Sequence, residues 1–156
     1  MASPPPKAAR VLETPWLLIE APAAIVWSTL TDFASHRTWD SYVVTWEGEA
    51  RVGSRMKLVA MADKRREFTP VVTEVVPARR LRYEHRVLGG VILQAEHEML
   101  IEPEESAPRC RFMQRERFTG LVVPFAWKSI QASAGPGFER MNRDLKAEAE
   151  RRFRTP

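Results

Sequence analysis

With 156 residues, 44% of them apolar and 28% charged, the chain has the make-up of one folded domain, which excludes general disorder. A chain of this length buries roughly 68–70% of its unfolded surface, enough for a core with a modest cavity. The net charge of +4 raises nucleic acid as a partner, while the single cysteine, Cys110, excludes an internal disulfide and fits a reducing, cytoplasmic setting.

Residues 1–10 read as a disordered tail, because Pro4, Pro5 and Pro6 suit neither a helix nor a sheet interior, and one domain is expected over 11–156. The tail lacks the apolar run of a secretory signal. The longest apolar stretch, Pro15 to Trp27, is interrupted by Glu20 and is too short to span a bilayer, so integral membrane association is not expected. A first strand is predicted over 14–20. Pro22 suits the first position of a helix that continues from Ala23 to Leu30. A second short helix is predicted from Phe33 to Trp39, with Asp32 or Ser35 as its cap.

After Trp39 the period becomes alternating, and strands are predicted at 42–50, 54–62, 66–76, 79–88, 91–102 and 110–119. Their short connections imply an antiparallel meander. The last third is helical: Trp127, Ile130, Ala134, Phe138, Met141, Leu145 and Ala149 form one apolar stripe. Glu139 with Arg143 and Glu148 with Arg152 are favourable i,i+4 pairs on its other face. Pro136, within Gly135-Pro136-Gly137, predicts a kink or a break. The segment from Gly120 to Trp127 is expected to be buried under this helix.

Alternation assigns faces. Leu81, Tyr83, His85 and Val87 share one side of their strand, as do Val91, Leu93, Ala95, His97, Met99 and Ile101, and Cys110, Phe112, Gln114, Glu116 and Phe118. A three-residue loop, Leu88-Gly89-Gly90, would pair Val87 with Val91, Arg80 with Glu98 and Arg82 with Glu96. For the next hairpin the charge-matched register sets Glu98 against Arg115, Glu96 against Arg117 and Glu102 against Arg111. It also sets His97 opposite Glu116, with Tyr83 diagonal to His97. So paired, the outer arginines form a self-neutralising surface. Lys64-Arg65-Arg66 and Arg151 to Arg154 remain, without an RNA-binding or zinc-finger signature, and no nucleic-acid partner is expected.

The run Ile19-Glu-Ala-Pro-Ala-Ala-Ile-Val-Trp-Ser-Thr-Leu-Thr-Asp-Phe33, followed by Trp39, resembles the SRPBCC (START-like, helix-grip) superfamily. Within it, the chain is similar to the polyketide cyclase/dehydrase and lipid-transport group. Val72-Thr-Glu-Val-Val-Pro-Ala-Arg-Arg-Leu81 and Gly137-Phe-Glu-Arg-Met-Asn142 match as well, and the chain departs from the pattern at Asp40-Ser41, where relatives often carry Asn-Pro. The resemblance implies an α+β fold in which a seven-stranded antiparallel sheet wraps around a long C-terminal helix, with two short helices between strands 1 and 2. It also implies a cavity for lipids, polyketides or quinones between sheet and helix.

No dinucleotide fingerprint, phosphate loop, nucleophile elbow, Cys-x-x-Cys or His-Glu-x-x-His occurs, so neither a cofactor nor a metal is expected. Cys110 has no activating neighbour. The informative residues are polar groups on an apolar inner face, which are costly unless paired. Leu81, Tyr83, Leu93, Met99, Phe112 and Phe118 are expected to form the sheet wall of a ligand site. Trp127, Ile130, Phe138 and Met141 would form the helix wall, with His85, His97, Gln114 and Glu116 as its polar groups. The leading expectation is binding of a hydrophobic small molecule. The alternatives are a cyclase or dehydratase using His97 and Glu116 as acid–base groups, and a protein- or membrane-interaction module acting through 120–127. The ligand and the oligomeric state are not legible.

Overall fold

The computed structural model describes residues 8–155. In chain order come β1 (Arg10–Glu13), β2 (Leu17–Ile19), α1 (Ala23–Thr31), a 3₁₀ turn (Phe33–Ser35), α2 (His36–Trp39), β3 (Val43–Glu47), β4 (Lys57–Met61), β5 (Arg65–Phe68), β6 (Val71–Val76), β7 (Arg80–Val87), β8 (Leu93–Pro103), β9 (Cys110–Thr119) and α3 (Val123–Arg154). Residues 1–7 of the expected tail lie outside the described residues, and Arg10 already belongs to the first strand.

Two prolines mark breaks between strands. β2 falls inside the expected 14–20 strand, whereas β1 lies wholly before it and was not expected. Pro15, which has no N–H to give a ladder, separates the two, and both run antiparallel to β9. Glu13 faces Arg115 and Leu17 faces Phe112, so the broken strand carries one more residue than its partner. Pro70 likewise splits the expected 66–76 strand. β5 stays with the β3–β4 hairpin, and β6 joins β7, β8 and β9. The Met56 N–H donates to the Pro70 carbonyl at 2.8 Å and that of Val72 to the Ser54 carbonyl at 2.9 Å, which stitches the two parts together. The segments thus occupy seven antiparallel positions, wrapped around α3 as the helix-grip pattern implies.

The β8–β9 register is the charge-matched one: Glu98 opposes Arg115, Glu96 Arg117, Glu102 Arg111 and His97 Glu116. The β7–β8 register differs from expectation by two residues. Val87 pairs with Leu93, Arg82 with Glu98 and Arg80 with Leu100. Leu88, Gly89 and Gly90 all adopt positive φ (49°, 62° and 86°), forming a tight turn. Val91 and Ile92 leave the ladder and accept the N–H groups of Leu121 and Val122 at 3.0 and 3.2 Å. A two-residue shift preserves the faces.

The helix α3 runs unbroken for 32 residues through Pro136, which corrects the expected break. Phe138, Met141, Leu145 and Ala149 after the proline are all buried, and that burial outweighs the lost hydrogen bond and ring clash of an interior proline, together about 3 kcal/mol. Gly137 allows a close approach: a Cβ there would sit 2.2 Å from the Tyr42 ring. Gly135 has only Leu12 in range, at 3.9 Å. Of the two expected helix pairs, Glu148–Arg152 forms at 2.8 Å, and Arg151 and then Arg152 hold the Glu148 carboxyl down at about 2. Among the described residues Glu139 and Arg143 form no ion pair. In the segment before α3, Val123 is buried but Leu121 and Phe125 are 61% and 89% exposed, contrary to the expected burial.

Neither Asp32 nor Ser35 caps α2 with its side chain, since the Ser35 hydroxyl donates back to the Asp32 carbonyl at 2.7 Å. Pro22 is the N-cap of α1, one position before the first helical residue. Asp40 has a structural role. Its Oδ1 accepts the N–H groups of Tyr42 and Val43, both at 2.9 Å, and its Oδ2 lies 2.9 Å from Nδ1 of His36. His36 Nε2 donates to the Leu30 carbonyl at 2.8 Å. Both side chains are fully buried, beneath the rings of Trp39 and Trp46. This cluster ties α1, α2 and the start of β3 together and sets Tyr42 against α3.

The two helix glycines should therefore respond oppositely to alanine. Gly137→Ala, forced against the Tyr42 ring, is expected to destabilise the protein by ~1–3 kcal/mol. Gly135→Ala, with open space and a better helix former, is expected to stabilise it by ~0.5–1 kcal/mol. Urea unfolding of both variants measures the difference.

Candidate functional site

A cavity of about 220 Å³ lies between the inner face of the sheet and α3. The sheet contributes Tyr83, His85, Leu93, Ala95, His97, Gln114, Glu116 and Phe118, and α3 contributes Ile130, Ser133, Ala134, Phe138 and Met141. A third wall, absent from the sequence reading, comes from the β3–β4–β5 hairpin: Tyr42, Val43, Leu58, Ala60, Ala62, Arg66, Phe68 and Pro70. The partly exposed Ala62, Arg66, Ser133 and Ala134 mark a mouth between that hairpin and the middle of α3. The rows Leu58-Ala60-Ala62 and Arg66-Phe68-Pro70 alternate in the sequence, which puts each row on one face. That the hairpin curls over the helix is a tertiary fact.

Leu81, Met99, Phe112 and Trp127 do not line this space, which corrects the expectation for these four. Leu81, Met99 and Phe112 are almost wholly buried in one core with Val26, Leu30, Met141 and Leu145. The inner face is longer than the cavity, and α1 fills its far end. Trp127 sits one turn too early on α3, its ring edge-on to Phe118 at 5.9 Å with the Arg10 guanidinium 6.0 Å from its centre.

A line of hydrogen bonds reaches the cavity from the helix–sheet seam. Thr14 Oγ1 accepts the Gln114 backbone N–H and the Asn142 Nδ2–H, both at 3.0 Å. Gln114 Nε2 donates to Asn142 Oδ1 at 2.6 Å and, at 3.4 Å, to the Phe138 carbonyl. Because that carbonyl only accepts, it fixes the amide with Oε1 turned toward His97, whose Nε2 donates to it at 2.7 Å. The proton-exchanging position of the ring is then Nδ1, 3.5 Å from Glu116 Oε2. His97 is buried and Glu116 half-buried. The Tyr83 ring stacks on that of His97, with centroids 4.9 Å apart and planes 2° apart, directly opposite it in the ladder and not diagonal as expected. Phe138 closes the other side edge-on at 4.8 Å.

The chain's two tyrosines both line the cavity. Burial, and next the Glu116 charge, pushes the Tyr42 phenol up to about 12, and the same two causes raise Tyr83 well above its ordinary range. Arg66 belongs to a basic cluster that the sequence left without a role, yet it lines the cavity. One of its terminal nitrogens meets Asp63 at 3.3 Å, while its Nε–H is buried without a hydrogen-bond partner, a situation costing ~1–3 kcal/mol. His85 lies farther along the wall, with Phe68 edge-on at 5.6 Å. Cys110 is buried away from the site, and burial pushes its thiol up to about 11.

A sheet gripping one long helix around a mostly apolar, polar-tipped cavity defines a helix-grip ligand-pocket protein. The chain matches the family model described as polyketide cyclase/dehydrase and lipid transport over residues 17–150, and it belongs to that family. No curated protein matches it in sequence. Among solved structures it is similar to the Zhui aromatase/cyclase from Streptomyces sp. R1128, with 20% identity and a TM-score of 0.78 over 95% of this chain and 98% of that one. It is also similar to norcoclaurine synthase from Thalictrum flavum, with 11% identity and a TM-score of 0.72 over 94% and 98%. The di-domain aromatase/cyclase StfQ of the steffimycin pathway matches with 15% identity and a TM-score of 0.72, over 92% of this chain and 51% of that one. At these identities the likeness is one of fold. No helix among the described residues is long and apolar enough to cross a membrane.

The phenols make a direct test of this environment. Each ionises more readily in the unfolded chain than in the folded one. The contribution of Tyr42 is therefore complete below the ordinary value of 10.0 and is lost as pH rises through about 12, and Tyr83 follows the same direction. Absorbance titration should show little phenolate in the folded protein at pH 10, where ordinary phenols are half ionised, with phenolate appearing together with unfolding.

Proposed function

We propose that the protein binds a small, largely apolar molecule of lipid, polyketide or quinone type between the sheet and α3. The observation that carries this reading is the cavity itself, about 220 Å³, walled by Leu58, Phe68, Leu93, Phe118, Ile130 and Phe138 and tipped by His97, Glu116 and Arg66. An apolar cavity of roughly 150 Å³ already accepts benzene, so one or two fused rings or a folded acyl segment fits inside. A longer ligand would extend through the mouth. Arg66, with its unpartnered Nε–H, would supply a donor for a ligand oxygen from the hairpin wall, and Glu116 an acceptor from the sheet wall. The reading places the protein in the cytoplasm and needs neither cofactor nor metal.

A second reading, conversion of the ligand by a cyclase or dehydratase, is favoured by one specific feature. The Gln114 amide commits His97 Nε2 to donating, which leaves Nδ1 and Glu116 as the groups that can take or return a proton. The family description and the aromatase/cyclase relatives of the fold support it.

Native mass spectrometry of gently purified protein should show a non-covalent apolar adduct. Ala134→Phe, which fills the mouth from an accommodating helix position, should remove the adduct with little change in the melting temperature. Unmodified mass under all gentle conditions would overturn the binding reading. If the site also dehydrates its ligand, His97→Asn should retain a species heavier by one water than the wild-type adduct. Identical adduct masses on both proteins would exclude dehydration by this route.

A further inference from the structure

The surface beside the β7–β8 turn is unlike the rest of the molecule. Leu88 and Val91, in that turn, are 75% and 51% exposed, and Leu121 and Phe125, at the start of α3, are 61% and 89% exposed. The backbone hydrogen bonds from Leu121 and Val122 to Val91 and Ile92 hold the two segments side by side, so these side chains form one apolar patch. Gly120 makes the junction possible: a Cβ there would lie 2.3 Å from the Ile92 carbonyl oxygen.

Lys128 and Arg10 are the cations beside the patch, and Glu84, which reaches the turn through Gln94, is paired with Arg86. No acidic residue occurs between Glu84 and Glu96 or between Glu116 and Glu139, whereas Lys128 stands one turn along α3 from Phe125. The Arg10 guanidinium lies over the ring of Trp127. Phe125 and Lys128, one turn apart on α3, present an exposed aromatic and an ammonium on one side, a combination that seats a protein at a headgroup boundary.

We propose that this patch docks the protein on an anionic lipid bilayer, with Phe125, Leu121 and Leu88 entering the headgroup–acyl boundary and Lys128 and Arg10 meeting lipid phosphates. The inference rests on the surface alone and stands whether or not the cavity holds or converts a ligand. Docking would be peripheral, because the patch buries loop tips and not a spanning helix.

Flotation of the full chain with vesicles of phosphatidylcholine, alone or mixed with phosphatidylglycerol, tests it. The wild type should float with the anionic vesicles and release as salt is raised. Phe125→Asp should lower partitioning about tenfold or more, the change that ~1.4 kcal/mol produces, and Lys128→Glu should weaken it chiefly on anionic vesicles. Leu18→Asp, an exposed apolar position beside Arg111 at the opposite end of β9, should float like the wild type. Failure to float, or equal losses for Phe125→Asp and Leu18→Asp, would overturn the proposal. So would a concentration-dependent dimer in sedimentation that Phe125→Asp dissolves while vesicles leave the protein unbound.

Discussion

Thr14, Gln114 and Asn142 come from the broken first strand, the last strand and the C-terminal helix, and one buried set of hydrogen bonds joins all three. Each group is buried, so each must be paired, and the three can be paired together only if α3 crosses the sheet at one height and one rotation. The break at Pro15 belongs to this arrangement, because it frees the Thr14 hydroxyl to accept the Gln114 N–H beside an otherwise regular ladder. The same amide that locks the helix also faces His97. The orientation of the site's imidazole is thus fixed by the interaction that fixes the fold.

Space beside this clamp comes from small residues placed opposite one another. Ala60, Ala62, Ala95 and Ala134 line the cavity from three walls, where larger side chains would meet and close it. At the other end of the same sheet face, Leu81, Met99 and Phe112 interlock with α1 and leave no space. The approach of Tyr42 to Gly137 works in the same direction, bringing the β3–β4–β5 hairpin down onto the helix backbone and completing the third wall. Asp40 and His36 set the height at which Tyr42 arrives, so the Asp40-Ser41 departure from the family pattern contributes to the shape of the site.

The chemistry of the cavity is one of unequal ends. Most of the wall is apolar, and His97, Glu116 and Arg66 are the groups able to orient a polar function. Two phenols kept neutral by burial and by the Glu116 charge add donors without adding charge. On the proposed reading, such a site would take a molecule with an extended apolar or aromatic body and one oxygen-bearing end. The apolar patch near Phe125 lies at the start of α3 and the cavity along its middle, from Ile130 to Met141, so each reading rests on separate residues.

The amino-acid pattern alone was enough for the order of elements after β1, the faces of β7, β8 and β9 and the β8–β9 register, because alternation fixes the face and only one register matches Glu96, Glu98 and Glu102 with arginines. It also located His97 opposite Glu116. The β7–β8 register stayed out of reach, since a leucine at positive φ in the turn has no sequence signature. Pro136 predicted a kink or a break, and packing of Phe138 and Met141 overrides the break. Long-range packing settled which inward residues meet a void and which meet α1, that the β3–β4–β5 hairpin brings Tyr42 and Arg66 into the site, and that Phe125 faces water. Parity along a strand assigns a side, but the distance to the opposing layer depends on side chains far away in the chain.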